Sequence, residues 1–253
     1  MIIEGKNFVE KLMNLALKGW VKSRRSGNTG IGKTLEDLLG IPENNKKIPD
    51  FKYAELKTHR KSASSLVTLF TYDRDVWKIN NAELIAKFGY WDDKKQRYAI
   101  YQTVTSKANN YGWYIDIDQE KLLLKYRTGE ILAEWAIHEL ASTFSNKMPN
   151  LVYVLADSRM VNDEEEFWYN QAYYLEGVNE KAFISLLRQD IIVLDIRMHL
   201  KANDVARNHG TGFRINDVYL PDLFASRIDI LSSEYKNYKF EGNYQKMLDD
   251  YLQ

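Results

Sequence analysis

The amino-acid sequence predicts a mixed α+β fold, because helical and strand periodicities occur along the same chain. Residues 7–20 repeat apolar side chains at helical spacing, whereas residues 191–200 alternate apolar and polar side chains as a half-buried strand does. No internal repeat or low-complexity linker divides the 253 residues. We therefore expect one domain, or two lobes that share a core.

Further helices and strands are predicted by short stretches that end at glycine, proline or polar turns. The predicted helices are residues 33–39, 81–88 and 180–188, with most of residues 218–235 and 243–252. The predicted strands are residues 51–58 and 65–71, a meander of residues 113–118, 122–126 and 131–137, and a buried strand at residues 151–156. Gly40 and Gly89 are the expected stops of the helices that precede them.

The composition is that of an ordinary soluble protein and narrows the function only weakly. Hydrophobic residues make up 45% of the chain, and 35 basic residues balance 35 acidic ones. The zero net charge gives no support to a non-specific nucleic-acid coat protein. The absence of cysteine excludes disulfides and thiolate metal sites, and no signal peptide or apolar run of transmembrane length is evident. We expect a cytoplasmic protein.

A glycine-rich segment offers a first candidate site. Residues 27–34 match the pattern G-x4-G-K-[ST], which cradles nucleotide phosphates when it joins a buried strand to a helix. The preceding segment is instead an amphipathic helix followed by the basic residues 22–25. A P-loop nucleotide triphosphatase is therefore a minor alternative. Lys33 and nearby amides can also hold a nucleic-acid phosphate, or the segment can simply cap a helix.

The segment around Asp50 carries the most informative chemistry. In a strand, Glu55 and Lys57 project to the same face, and a bend before the strand can bring Asp50 beside Glu55. Glu36 on the upstream helix can supply a third carboxylate. Carboxylate oxygens hold Mg²⁺, which activates water at a phosphodiester, and a lysine offsets the developing charge. The pattern predicts metal-assisted phosphodiester hydrolysis; the alternative is a surface ion pair on one strand face.

Basic residues near this segment are candidates for contact with a phosphodiester backbone. His59 and Arg60 follow the strand at once, and Arg207 lies in a second basic stretch between residues 197 and 214. With Lys33, they form the predicted set of DNA-backbone contacts.

Several segments, in the same order, resemble the MvaI/BcnI family of type II restriction endonucleases. They are residues 27–39 (GNTGIGKTLEDLL), 49–51 (PDF), 55–59 (ELKTH), 66–71 (LVTLFT), 195–197 (DIR) and 209–216 (HGTGFRIN). A more distant likeness is to the mismatch-repair nicking enzyme MutH, which shares the Glu-Leu-Lys-Thr strand and a helical glutamate at the position of Glu36.

The resemblance implies a MutH-like fold of the PD-(D/E)xK nuclease superfamily. Its central mixed sheet would be flanked by helices, with two lobes around a DNA cleft: an approximate catalytic lobe at residues 1–110 and a recognition lobe at residues 111–253. Asp50, Glu55 and Lys57 fall on the family's catalytic triplet, with Asp50 and Glu55 as metal ligands. Glu36 corresponds to the acidic residue that the family carries on this helix.

The resemblance also implies the reaction and its partners. The protein would be a cytoplasmic, prokaryotic and monomeric enzyme that uses Mg²⁺, for which Mn²⁺ can substitute. It would cut double-stranded DNA at a GC-rich pseudopalindrome of the CCNGG type, leave 5′-phosphate and 3′-hydroxyl ends, and be accompanied by a DNA methyltransferase of the same system. Arg197, His209 and Arg214 match the base-recognition block, and these side chains can donate to O6 and N7 of guanine. The alternatives are a MutH-like mismatch-repair nicking endonuclease and a non-catalytic DNA-binding module.

Overall fold

The computed structural model describes residues 5–41 and 54–231, which form two compact units. Within these residues, the first unit comprises the chain up to Ser65, Asn146–Asn179 and the chain from Phe224 onward. The second unit comprises Leu66–Ser145 and Glu180–Leu223. The compact units therefore do not divide at residue 110, because strands far apart in the chain pair within each unit. The assignment of a catalytic and a recognition lobe to residues 1–110 and 111–253 stays a prediction.

The described part of the chain contains both helices and strands throughout its length. The helices are α1 (Gly5–Lys18), α2 (Gly30–Leu39), α3 (Asn81–Phe88), α4 (Ile137–Lys147) and α5 (Glu180–Arg188), with a 3₁₀ helix at Asp217–Leu223. The strands are β1 (Val21–Lys22), β2 (Glu55–Arg60), β3 (Val67–Tyr72), β4 (Tyr90–Asp92), β5 (Arg97–Val104), β6 (Trp113–Ile117), β7 (Lys121–Tyr126), β8 (Ile131–Ala136), β9 (Leu151–Val161), β10 (Glu164–Val178), β11 (Ile192–Leu200), β12 (Ala206–Ile215) and β13 (Phe224–Asp229). None of the described helices is long and apolar enough to cross a membrane.

The helices begin and end where local chemistry favours it. The Asn80 side chain caps α3 by accepting a hydrogen bond from the amide of Ala82 at 2.8 Å. Gly40 ends α2 in the left-handed conformation at φ 74°, and its N–H donates to the carbonyl of Glu36. The sequence correctly predicted α3, α5 and the end of α2. Its expectation that α2 begins at Lys33 was wrong, since the helix already begins at Gly30.

The first unit is built on a five-stranded mixed sheet of order β1-β10-β9-β2, with β13 also paired to β10. The β2–β9 pair is parallel, and the other pairs are antiparallel. A buried cluster joins α1 and α2 to the sheet. Its members include Phe8, Leu12, Ile31, Leu35, Leu39, Leu56, Val152, Val154, Phe167 and Tyr169. In α2, Ile31, Leu35 and Leu39 recur every four residues, so they share the face that packs against the sheet.

The second unit contains a five-stranded antiparallel sheet of order β3-β12-β11-β5-β4 and a three-stranded sheet of order β6-β7-β8. The three-stranded sheet confirms the predicted meander. Four phenylalanines form part of the core. Phe70 stacks on Phe213 with ring centroids 4.8 Å apart, and Phe144 stacks on Phe183 at 5.0 Å.

Further regions depart from the sequence expectation, and among them α4, β4, β5 and β12 were not predicted. Residues 218–235 were predicted to be mostly helical, but Phe224–Asp229 is a strand, because its residues pair with β10 from Tyr173 to Val178. The prediction for residues 243–252 lies outside the described residues. The 15-residue strand β10 was not predicted. It pairs with β1, β9 and β13, so its strand conformation depends on tertiary pairing.

Candidate active site and recognition pocket

Glu55 and Lys57 lie on β2, at the edge of the first unit's sheet. Strand alternation places them on one face, while Leu56 on the opposite face joins the buried cluster. Parallel pairing sets Glu55 opposite Leu151 and Lys57 opposite Tyr153, and the Glu55 amide donates to the Asn150 carbonyl at 3.0 Å. The predicted same-face arrangement of Glu55 and Lys57 is confirmed.

The Glu55 carboxylate is buried and lies between two lysines. Glu55 is only 5% exposed. Its Oε1 lies 3.4 Å from Nζ of Lys57, and its Oε2 lies 2.8 Å from Nζ of Lys147, the last residue of α4. A buried carboxylate requires such charge compensation, whereas an ordinary ion pair on a solvent-exposed strand would leave Glu55 in water. The surface-pair alternative therefore does not describe this group.

The other two predicted carboxylates are placed differently. Asp50 lies outside the described residues. Glu36 lies on α2, and a β-carbon built on Gly32 would be 4.0 Å from Oε1 of Glu36 and 3.3 Å from Oγ1 of Thr58. Strand alternation turns Thr58 away from the face that carries Glu55. The participation of Asp50 and Glu36 in a metal site stays a prediction.

The glycine pattern of residues 27–34 serves packing. Gly27 has φ 80°, a conformation that favours glycine. A β-carbon on Gly30 would lie 2.2 Å from the Arg25 carbonyl oxygen, so this position also requires glycine. Thr34 is buried, and its hydroxyl accepts from the Arg24 amide at 2.8 Å.

The surroundings of this segment do not match those of a phosphate-binding loop. The preceding strand β1 has two residues and pairs antiparallel with β10, and Gly30 and Gly32 already lie inside α2. The motif normally leaves a buried strand and wraps phosphate before the helix starts. The P-loop triphosphatase alternative therefore loses its structural basis.

The predicted DNA-backbone residues near β2 already contact protein groups. Lys33 pairs with Asp37 at 3.0 Å. His59 is buried, and its Nε2 lies 2.8 Å from the Ser65 carbonyl oxygen. Arg60 donates to both carboxylate oxygens of Glu165, at 2.7 and 2.8 Å. The predicted contacts of these residues with DNA stay predictions.

The three predicted base readers lie together in the second unit. They border an open pocket of about 260 Å³ on the five-stranded sheet. The pocket is lined by Thr68, Thr71, Asp92, Lys95, Arg97, Ala99, Tyr101, Asp195, Arg197, Met198, His199, His209, Gly210, Gly212 and Arg214. Arg197, His209 and Arg214 thus border one concave surface, although β11 and β12 are separate strands. Arg207, the remaining predicted backbone contact, is exposed on β12, opposite His199.

A buried aspartate holds the two arginines of this pocket. Asp195 is 3% exposed, and its Oδ2 accepts from Nε of Arg197 at 3.0 Å and from Nη1 of Arg214 at 2.8 Å. Arg214 also donates to the Leu66 carbonyl at 2.7 Å, and the Arg197 guanidinium lies over the Tyr101 ring at 4.6 Å. Both guanidinium groups are therefore fixed by contacts on more than one side.

Two histidines complete the pocket. Nε2 of His209 lies 3.0 Å from Nδ1 of His199, so one ring nitrogen donates to the other. Burial lowers the pKa of both histidines below 6.5. Nearby cations lower the pKa values further, with Arg97 the largest of them for His199 and Arg207 for His209. Both rings are consequently neutral at neutral pH, so they can accept as well as donate hydrogen bonds.

Glu55, Lys57 and the neighbouring Lys147 form what we call the β2 site. Its chemistry suits a hard divalent cation. Among the described residues, no group of three or more His, Asp or Glu side chains is placed to hold a metal. Magnesium does not need such a cage, because it keeps several waters and binds through one or two carboxylates together with substrate phosphates. The buried Glu55 carboxylate fits that mode of binding, and Glu55 is the described residue that would hold the ion.

Comparison with known proteins decides the family. The model of the MvaI/BcnI restriction endonuclease family matches residues 9–224. The chain belongs to this family. This MvaI/BcnI endonuclease is accordingly a type II, site-specific DNA nuclease, and members of the family generally use divalent metal ions.

Two solved structures are similar to this MvaI/BcnI endonuclease along most of its length. A complex of restriction endonuclease MvaI with its cognate DNA substrate matches with a TM-score of 0.75 and 28% identity, over 91% of this chain and 99% of that one. MvaI in the absence of DNA matches with a TM-score of 0.51 and 27% identity, over 91% and 98% of the two chains. No curated protein matches. The expected restriction-endonuclease fold is confirmed.

Sequence reasoning about this MvaI/BcnI endonuclease missed three groups that the structure brings to the sites. Lys147 contacts Glu55, Asp195 holds two arginines, and His199 contacts His209. Asp195 and His199 could have been found, because they share the polar face of the predicted strand with Arg197. Lys147 carried no sequence signal, since it reaches Glu55 only through the pairing of β2 with β9.

Proposed function

We propose that this endonuclease cuts double-stranded DNA by Mg²⁺-dependent phosphodiester hydrolysis, leaving 5′-phosphate and 3′-hydroxyl ends. The observation that carries the proposal is the buried Glu55 carboxylate with Nζ of Lys57 at 3.4 Å on the same strand face, in a chain of a restriction-endonuclease family. Mn²⁺ would substitute for Mg²⁺, since both accept oxygen ligands.

Each residue of the β2 site has a distinct task in this proposal. Glu55, with Asp50 as the second carboxylate, would hold the cation, and Glu36 would contribute from α2. The bound cation supplies Lewis-acid polarisation of the phosphodiester and an activated water. Lys57 places a positive charge where negative charge develops on the phosphate oxygens during attack. The rigid strand pairing fixes the spacing between Glu55 and Lys57 and so preorganises the site.

The recognition pocket would read a short GC-rich pseudopalindrome of the CCNGG type. Arg197 and Arg214 can each donate two hydrogen bonds to O6 and N7 of a guanine, and His209 can donate to the same edge. Asp195 holds both guanidinium groups before DNA arrives, which reduces the entropy lost on binding. The related MvaI structure contains cognate DNA, which supports duplex DNA as the ligand. Arg207, together with Lys33, His59 and Arg60, would contact the DNA backbone.

The remaining properties follow from the same proposal. The enzyme would act as a monomer in the prokaryotic cytoplasm and cut each strand in turn. A DNA methyltransferase of the same system would protect host sites without forming a stable complex with the nuclease.

The test uses short duplexes that carry CCNGG with each central base, next to duplexes in which the same bases are scrambled. Wild-type protein with Mg²⁺ should cut both strands of at least one CCNGG duplex, and end mapping should give 5′-phosphates. Glu55→Gln should slow cleavage at least about 100-fold, as expected when an electrostatic element of the site is removed. Cleavage of the scrambled duplexes at the same rate would refute the site assignment. Nicking that requires an added protein would favour the MutH-like alternative.

A further inference from the structure

Of the two lysines that contact the Glu55 carboxylate within the described residues, Lys147 lies closer. Its Nζ lies 2.8 Å from Oε2, whereas Nζ of Lys57 lies 3.4 Å from Oε1. Each carboxylate oxygen therefore already faces one ammonium group. A cation that binds Glu55 directly through Oε2 must take the place of Lys147.

The segment that carries Lys147 is held firmly beside β2. Three residues after Lys147 in the chain, the Asn150 carbonyl accepts from the Glu55 amide at 3.0 Å, and the Asn150 side chain accepts from the Gly177 amide at 2.9 Å. The Pro149 carbonyl accepts from the Val178 amide at 3.2 Å. The backbone is thus fixed to β2 and β10, and only the flexible lysine stem needs to move for the ammonium group to leave Glu55.

We propose that Lys147 is a positioning residue that occupies the metal side of Glu55 until the divalent cation replaces it. This inference rests on the proposed function, in which Glu55 is a metal ligand. Lys57 faces only Oε1 of Glu55, and a buried carboxylate is unfavourable unless both of its oxygens are compensated, so Oε2 needs a second cation beside it. Lys147 meets this need before metal binds and competes with the metal for Oε2. The protein therefore keeps a folded, charge-balanced site at the cost of weaker metal binding in the absence of DNA.

The competition gives an expectation opposite to that for a purely structural ion pair. A structural lysine would keep Glu55 in position, so its loss would weaken metal binding. A competing lysine lowers metal affinity, so Lys147→Met should bind Mn²⁺ about tenfold more tightly than wild type, a change equal to about 1.4 kcal/mol. Lys147→Arg keeps the charge and should bind Mn²⁺ like wild type.

The experiment measures Mn²⁺ binding to the full-length protein without DNA, so no turnover occurs. Electron paramagnetic resonance gives the free Mn²⁺ concentration, and the rise of Tm with Mn²⁺ gives a second affinity and shows that each variant is folded. Lys121→Met is the matched control, because Lys121 pairs with Glu134 at a similar distance, 2.9 Å, in the three-stranded sheet. It should leave Mn²⁺ binding unchanged.

The outcomes separate this inference from the proposal on which it rests. Tighter binding by Lys147→Met, with Lys147→Arg and Lys121→Met like wild type, supports the exchange of lysine for metal. If Lys147→Met binds Mn²⁺ as weakly as wild type or more weakly, the exchange of lysine for metal is overturned. The same holds if neither wild type nor Lys147→Met binds Mn²⁺ detectably. If Lys147→Met is unfolded, Lys147→Gln in the same titration decides between the same two results. If Glu55→Gln binds Mn²⁺ as well as wild type, Glu55 is not a metal ligand and the proposed active site itself fails.

Discussion

The β2 site and the recognition pocket are built on the same charge pattern but use different cations. In each, a buried carboxylate contacts the cation two residues further along its strand and a second cation from another element. The members are Glu55, Lys57 and Lys147 in the first unit, and Asp195, Arg197 and Arg214 in the second.

The difference between the two sites lies in how the carboxylate is shared. At Glu55, one lysine faces each oxygen, so either ammonium group can leave without disturbing the other. At Asp195, both arginines bond to Oδ2, and each guanidinium still has further N–H groups available for a ligand. Compact ammonium charges suit a site that exchanges cations, whereas planar guanidinium groups suit a surface that reads base edges. The difference agrees with the roles proposed for the two sites, catalysis at the first and base recognition at the second.

The largest expected effect tests the chemical side of this comparison. Lys57→Ala should lower the single-turnover cleavage rate about 100- to 1,000-fold, because the charge that stabilises the transition state is lost. Binding of cognate DNA in Ca²⁺, measured by gel shift, should change little. Lys121→Ala, which removes a lysine from the second unit's three-stranded sheet, serves as the control. Equal cutting by Lys57→Ala would remove Lys57 from the active site.

A smaller effect is expected on the recognition side. Asp195→Asn should weaken binding to the cognate duplex about tenfold, because the two arginines lose the anion that holds them in place. Binding to a scrambled duplex should stay nearly constant, since the number of cations is unchanged. Competition gel shifts give both affinities. Asp116→Asn removes an exposed carboxylate paired with Lys125 and should alter neither affinity. An equal loss on both duplexes for Asp195→Asn would show that Asp195 does not serve specificity.

The smallest expected effect is a pH dependence of stability that arises from the histidine pair. His199 and His209 have pKa values lowered below 6.5 in the folded protein, so the unfolded chain binds more protons as the pH falls through this region. Their contribution to stability is therefore complete above about pH 6.5 and is lost progressively below it. The Tm of wild type should fall between about pH 7 and pH 5, and less so for His209→Gln. His138→Gln, which removes an exposed histidine outside the pocket, should follow wild type. A wild-type slope in His209→Gln would contradict this origin.

Local patterns in the sequence were sufficient for β2 and β11, which carry Glu55, Lys57 and Arg197, but not for β12, which carries Arg207, His209 and Arg214 and was not predicted as a strand. The same-face placement of Glu55 and Lys57 requires only strand periodicity, and the polar face of β11 follows from its alternation. The helices α3 and α5 were also predicted, because their apolar spacing and their ends are encoded locally.

Features that depend on distant pairing could not be predicted in this way. The strand β10 begins with three glutamates, which disfavour a strand, yet Glu164, Glu165 and Glu166 find partners in Lys22, Arg60 and Arg159. The tight turn before it has positive φ at both Asn162 and Asp163, as a two-residue hairpin requires. The glycines of residues 27–34 match the sequence pattern of a phosphate-binding loop. The backbone and side-chain atoms that require glycine there, such as the Arg25 carbonyl oxygen beside Gly30, are brought close only by the fold.

The parallel pairing of β2 with β9 also determines when the β2 site can form during synthesis. During synthesis, Glu55 and Lys57 leave the ribosome long before Leu151, the residue that pairs with Glu55. Parallel strands need a long crossover and form late, so the growing chain carries Glu55 and Lys57 without the strand that aligns them. A chain truncated before α4 therefore lacks both β9, the strand that pairs with β2, and Lys147, which contacts Glu55.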